Sequence, residues 1–238
     1  MVIFDKESHT YTDKSTNERF ISVTTLISKY KPHFDADKHS ARIAQREGIP
    51  QEMVREIWEK ENKKATSNGT RIHKIMEQYI INGEEDSDNI TLFSSYEDSV
   101  KKSIGTFDSV LCETLLHNQP HKLAGTADLL FVTDTEFIVG DFKTNKRFNF
   151  TSNFKETFHA PVDHLMYCEF NTYALQLSFY AYMYEQLTNK RCKQLTIFYL
   201  VNNQWQAIHC NYLKSDVQKI LEHYTKNTSL SLNNVNEN

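Results

Sequence analysis

Two short apolar runs, each broken by one acid and separated by a polar turn, constrain this chain more than any other feature. They lie in LAGTADLLFVTDTEFIVGDFK, from Leu123 to Lys143. Ala127 to Val132 is apolar apart from Asp128, Thr133 to Thr135 forms a turn, and Phe137 to Phe142 is apolar apart from Asp141. β-Branched and aromatic runs around a polar turn specify paired strands. A carboxylate inside such a run is costly to bury unless something compensates it. Residues two apart on a strand share a side, so Asp141 and Lys143 project together, and hairpin pairing can bring Asp128 alongside. Two carboxylates and an ammonium on one side of a sheet make a candidate site for a hard divalent cation.

The rest of the composition sets bounds. At 238 residues the chain is long enough to bury a substantial core as one domain. Its 15 Phe and 12 Tyr mark it as globular, and its 6 Gly and 4 Pro favour long regular elements. No apolar run is long enough for a membrane-spanning helix, and the N-terminus lacks a basic start and an apolar signal stretch. The expected location is the cytoplasm of a bacterial or phage-infected cell. Cys112, Cys168, Cys192 and Cys210 match neither zinc pairs nor an iron–sulfur run, and read as free, mostly buried thiols. A net charge of -4 supplies no global field to attract a polyanion, so binding of that kind needs local patches.

Taken in order, VIF, HTYT and RFIS read as short antiparallel strands within residues 2–21. Ser22 or Thr24 can cap a short helix through Tyr30, ended by Pro32. A charged segment from Ala36 to Gly48 and a helix from Pro50 to about Ala65 form a helical arm. The arm reads equally as solvated or as substrate-guiding. Ser67-Asn68-Gly69-Thr70 punctuates the chain, and a further helix runs from Thr70 to Ile81 with His73 and Glu77 on neighbouring positions of one face. By spacing alone a histidine such as His73 is more often a hydrogen-bonded surface or boundary residue than a ligand.

An acidic loop (82–89), a helix from Leu92 to Phe107 and a strand from Val110 to Leu116 carrying Glu113 lead into the hairpin. Three consecutive strands then bear Glu113, Asp128 and Asp141 and predict one antiparallel meander. Asn145 to Phe170 reads as a long loop in which Lys146, Arg147 and Lys155 alternate with Phe148, Phe150, Phe154 and Phe158. Such a loop suits single-stranded nucleic acid, with cations on phosphates and rings on bases. It equally suits phenylalanines that plug back onto the core. Asn171 or Thr172 caps a helix through Leu187, a hairpin turns at Asn202-Asn203, and a last helix spans Lys214 to Tyr224 before an Asn- and Ser-rich tail.

Glu113, Gly125-Thr126-Ala127-Asp128, Asp141-Phe142-Lys143-Thr144 and Gln176-Leu177-Ser178-Phe179-Tyr180, preceded by Gly69-Thr70-Arg71-Ile72-His73, together resemble the PD-(D/E)XK nuclease superfamily. The RecB-like branch is the most similar. Ser22-Val23-Thr24-Thr25-Leu26 is similar to small RecB-like nucleases common in phages, and the Glu113–Lys143 spacing resembles the mitochondrial genome maintenance exonucleases. The resemblance spans roughly residues 2–210 and implies an α/β restriction-endonuclease-like core. That core is a central mixed β-sheet flanked by helices, with N-terminal strands and a helical arm. The implied organisation is one domain over 1–226, with the arm at about 34–66 inserted before the core and a flexible tail over 227–238.

The resemblance also implies roles. Asp128, Asp141, the Phe142 carbonyl and His73 would ligate the metal, and Glu113 would complete a two-ion site. Lys143 would orient the attacking water or stabilise phosphate charge. Gln176 and Tyr180 would support the site and contact the DNA backbone, and Lys146, Arg147, Phe148 and Phe150 would touch substrate. One or two Mg²⁺ or Mn²⁺ ions are implied, without an iron–sulfur cluster, since the cysteine cluster of iron–sulfur members has no counterpart here. The implied activity is that of a metal-dependent deoxyribonuclease, as an exonuclease on single-stranded or partly unwound DNA. A structure-selective endonuclease, a non-catalytic DNA-binding or assembly protein, and a protein whose strand acids form structural salt bridges stay open. DNA is the implied partner, with replication or recombination proteins beside it and no membrane.

Overall fold

The computed structural model describes residues 1–6, 8–152 and 155–235, so Phe154 of the aromatic loop and residues 236–238 of the expected tail lie outside the described residues. The fold is mixed α/β: a central sheet of parallel and antiparallel strands flanked by helices, preceded by short N-terminal strands. β1 (Val2–Asp5), β2 (Thr10–Asp13) and β3 (Arg19–Ser22) form the expected antiparallel run. β4 (Ser109–Asn118), β5 (Leu123–Val132) and β6 (Glu136–Lys143) form the expected meander. β7 (Arg191–Val201) lies parallel to β6, and β8 (Gln204–Cys210) returns from it through Asn202 and Asn203, both at positive φ (50° and 59°), as a tight hairpin turn requires.

One detail of the topology positions everything that follows. A strand has two edges. β4 occupies one edge of β5 along nearly its whole length. The other edge is shared: β3 pairs in parallel with Leu123 and Ala124, and β6 pairs antiparallel with Leu129 to Val132. Between those two partners the sheet opens at residues 125–128, and β6 runs on past the opening from Asp141 to Lys143 while still paired to β7.

Helices cover both faces. On one, α1 (Val23–Ser28), α2 (Glu169–Thr188) and α3 (Lys214–Val235) bury Leu26, Phe179, Met183 and Ile220 against Leu130, Phe137, Val139 and Ile197. On the other, the end of α4 (Gln51–Asn82) and α5 (Ile90–Ser103) bury Ile72, Met76, Phe93 and Tyr96 against Phe131, Phe142, Phe198 and Trp205. Alternation along β6 does the sorting, with Phe137 and Val139 on the first face and Ile138 and Phe142 on the second. Each fully buried large side chain of this kind contributes about 1.5–3 kcal/mol.

Four expectations need correction. First, α4 is one helix of 32 residues, not two separated at Ser67–Thr70. Gly69 does not break it; a Cβ there would lie 3.2 Å from Thr144 Oγ1, so glycine lets the helix pass close to the end of β6. Second, α2 begins at Glu169 with Cys168 as its cap residue. Asn171 and Thr172 do not cap it because their side chains bond the carbonyls of Met166 (2.7 Å) and Cys168 (2.8 Å). Third, α3 continues to Val235, through the segment expected to be a tail from residue 227. No Gly or Pro interrupts it, and Thr225 and Thr228 bond back to the carbonyls of Leu221 and Tyr224. Fourth, of the four free cysteines only Cys168 is buried, and the others are half-buried.

The arm is the hairpin of α6 (Ala36–Glu47) against the first half of α4. Its fully buried residues are Ser40 and Val54, and most of its surface is open.

Gly125 lies in the opening of β5. A Cβ on it would lie 2.6 Å from Cε1 of the buried Tyr180 and 3.2 Å from Val23 Cγ2. The Gly125→Ala variant is therefore expected to lose about 1–3 kcal/mol of stability through overpacking. Urea unfolding would show this as a lowered midpoint at unchanged slope, and an unshifted midpoint would contradict it.

Candidate metal centre

The opening between β5 and β6 is filled by Asp128. Where the next ladder bond would fall, the Phe142 N–H donates instead to Asp128 Oδ2 (2.9 Å). The N–H and C=O of one strand residue leave by the same edge, so the Phe142 carbonyl also faces this opening. Asp128 Oδ2 lies 3.4 Å from Nδ1 of His73, whose ring stands edge-on to Phe142 across 5.9 Å.

Glu113 lies on β4 opposite Asp128, between the registered pairs Cys112–Leu129 and Thr114–Ala127. Its backbone sits at φ 45°, in the left-handed region. A non-glycine residue there carries strain of roughly 1–3 kcal/mol, and such strain clusters at functional sites. One ligand atom from each of His73, Glu113 and Asp128 falls within 4.8 Å of the others. A nitrogen and two carboxylates at that spacing fit a divalent cation. His73 and Glu113 border an open cleft of about 530 Å³ that also takes in Glu77, Lys6 and Lys74.

Asp141 lies one step beyond the last β5–β6 pair, on the strand face that α2 covers. It is buried and forms an ion pair with Lys143, and Gln176 Nε2 reaches its other oxygen at 3.4 Å. Gln176 also donates to the Tyr180 hydroxyl (3.1 Å). The Lys143 ammonium sits over the Tyr173 ring, 4.8 Å from its centre.

Burial pushes the Asp141 carboxyl up; Lys143 pulls it back, and the charge of Asp128 adds to the rise. Lys143 moves up as well, because Asp141 and Asp128 together outweigh its own burial. The two shifts are consistent: one ammonium faces two acids, so the cation is held firmly and one negative charge is left over. Glu113 is open to the cleft, yet its carboxyl is pushed up to about 7, first by loss of hydration and then by Asp128 and Glu77. Excess carboxylate charge of this kind is what a bound cation relieves.

A pH dependence follows. Glu113 binds its proton more tightly folded (about 7) than at its ordinary value of 4.5. Its contribution to stability is therefore full below about 4.5 and lost as pH rises through about 7. In chelator, the melting temperature relative to a Glu113→Gln variant should fall between pH 5 and pH 8, and Mn²⁺ at pH 8 should reverse that fall. A wild-type curve parallel to that of Glu113→Gln would contradict this.

The predicted site residues thus divide. His73, Glu113 and Asp128 come together at the opening beside the Phe142 backbone, whereas Asp141, expected as a metal ligand, lies outside that cluster and pairs with Lys143, with Gln176 and Tyr180 behind it. The loop residues do not join them. Phe148 packs against Tyr199 (4.8 Å), Phe150 (5.1 Å) and Tyr173 (5.8 Å), so its ring serves the core instead of offering a free face for a base. Phe158 is likewise buried, whereas Phe150 keeps 56% of its surface exposed. Lys146 and Arg147 are exposed, and Lys146 lies 3.7 Å from Glu61 of the arm. Glu77, Lys6 and Lys74 at the cleft and Tyr173 beside Lys143 add to the residues the sequence points to. Spacing offered a signal for two: Glu77 is four residues past His73, and Tyr173 three before Gln176.

No family model and no curated protein matches the chain. Among solved structures it is similar to SSO0001, with a TM-score of 0.39 and 13% identity over 87% of this chain and 74% of that one. It is also similar to a protein of Eubacterium rectale named "putative exonuclease", with a TM-score of 0.40 and 12% identity over 98% of this chain and 86% of that one. No helix among the described residues is long and apolar enough to cross a membrane.

Proposed function

We propose that this chain is a divalent-metal-dependent nuclease that hydrolyses phosphodiester bonds in DNA, working as one domain with the acid–acid–lysine site of the PD-(D/E)XK superfamily and its RecB-like branch. The observation that carries this reading is the convergence of two strand acids and a charged lysine where β5 and β6 part, beside a histidine-bearing helix.

His73, Glu113, Asp128 and the Phe142 carbonyl are the groups that would hold Mg²⁺ or Mn²⁺, with Asp141 next to them. A bound ion of this kind neutralises phosphate charge, makes a water more acidic and eases departure of the leaving oxygen. The remaining work falls to the chain itself. Asp141 fixes Lys143, and Gln176 fixes Asp141. Lys143, kept charged, donates a hydrogen bond to the attacking water or to a non-bridging phosphate oxygen. Water attacks phosphorus, the P–O bond to the 3′- or 5′-oxygen breaks, and that oxygen leaves with a proton. Lys6 and Lys74 at the cleft rim suit the flanking phosphates.

The finer reading is an exonuclease on single-stranded or partly unwound DNA, supported by the exposed Lys146, Arg147 and Phe150 just past Lys143. End-labelled linear and circular single strands, incubated with Mg²⁺, Mn²⁺ or EDTA, test both levels. Digestion of the linear form alone is expected, dependent on the metal. Cutting of circles would make the protein an endonuclease, and cutting in EDTA would overturn the metal site.

A further inference from the structure

A second cleft, of about 260 Å³, opens on the α2 side of Lys143. Lys31, Asn149, Thr151, Tyr167, Glu169 and Tyr173 line it. Tyr173 is shared: its ring bounds the cleft and also carries the Lys143 ammonium 4.8 Å from its centre. The cleft therefore begins one aromatic ring away from the lysine at the candidate centre.

Its walls are fixed. Asn149 is bonded on both sides of its backbone, its N–H donating to Glu169 Oε2 (3.3 Å) and its carbonyl accepting from Phe170 N–H (3.1 Å). The Tyr167 N–H donates to the Glu156 carbonyl (2.8 Å), and its ring stands edge-on to the buried Phe158 at 5.4 Å. Phe148 supports Tyr173 at 5.8 Å. Preorganised walls lower the entropic penalty of binding.

The chemistry of the lining selects the ligand. An anion site would be cationic, but here the one ammonium among the lining residues, Lys31, has Glu169 as a charged neighbour, and Glu156 shares the lining. Two tyrosine rings, an asparagine and threonine hydroxyls instead suit a flat, neutral group with an edge of donors and acceptors. Ligand clefts generally start at about 300 Å³, so this one holds a group about the size of one base and no more.

We propose that this cleft binds one nucleobase of the strand being cut, seating it behind Tyr173 so that its own phosphate lies at Lys143. The proposal rests on the nuclease reading above and adds to it a subsite for a single base. It can be tested without cleavage, in EDTA, by competing a fluorescent oligothymidylate with deoxynucleoside 5′-monophosphates, deoxyribose 5-phosphate and inorganic phosphate.

The monophosphates are expected to compete and the two base-free anions not to. The Tyr167→Ala variant should weaken the monophosphates by roughly 5- to 150-fold, the range of one lost base-stacking contact. The Asn149→Asp variant, which keeps size, should change the order of preference among the four bases. Equal competition by deoxyribose 5-phosphate, or monophosphate binding unmoved by Tyr167→Ala, would overturn the proposal. The two readings fail separately. Metal-dependent cutting that treats an abasic site like any other position would remove the base pocket and leave the nuclease. Base-selective binding by a protein that never cuts would do the reverse.

Discussion

Replacing Asp128 with Asn should reduce DNA cleavage by about 10²- to 10³-fold or more, with little loss of fold. Asp128 has two tasks. Asp128 Oδ2 accepts the Phe142 N–H that the parting strands leave unpaired. The amide oxygen of Asn can keep that bond, so the opening between β5 and β6 should hold its shape. What Asn cannot keep is the negative charge beside His73 and Glu113. The expected pattern is therefore lost activity and weakened Mn²⁺ binding with an almost unchanged melting temperature in chelator. An Asp128→Ala variant, which removes the acceptor as well, should lose the same activity and additionally about 1–3 kcal/mol for the buried N–H left without a partner. Near-wild-type cleavage by Asp128→Asn would remove this acid from the centre.

The second large effect is expected from Lys143→Ala: about 10²- to 10³-fold less cleavage, with metal binding retained or strengthened. Among the described residues Lys143 is the ammonium that faces Asp141 and Asp128. Without it both acids lose their neutralising partner, so the apo protein should become less stable while its pull on a cation grows. Isothermal titration with Mn²⁺ beside single-turnover cleavage separates the two quantities. Lys143→Arg should keep the ion pair but recover activity poorly, because a planar guanidinium cannot place its donors as a compact ammonium does. Loss of metal binding in Lys143→Ala would mean that the lysine holds the site together instead of acting on the phosphate.

How far these features were legible in the chain depended on whether the physics behind them is local. The hairpin, its acids and the Asn202–Asn203 turn follow from period-two patterning and turn chemistry, which act over a few residues, and they stand where expected. The start of α2 and the end of α3 differ from the expected ones because residues with cap and turn chemistry sit inside both helices, where Thr172 and Thr225 donate to carbonyls four residues back. Gly69 looks like punctuation in the sequence because its neighbour in the fold, Thr144, lies 75 positions away in the chain. The shared edge of β5 was equally out of reach. Alternation shows which residues face a sheet, but not where two partners on one edge leave a space between them. Phe148 and Phe150 look alike in sequence; only packing assigns one to the core and leaves the other exposed.

The unbroken course of α4 carries a mechanical implication. From Gln51 at the arm to His73 at the centre the rod rises roughly 33 Å, at about 1.5 Å per residue, with no joint along the way. One unbroken ladder of helix bonds joins the outer end to the histidine, so a tilt imposed on the arm by anything that grips it is carried toward the imidazole.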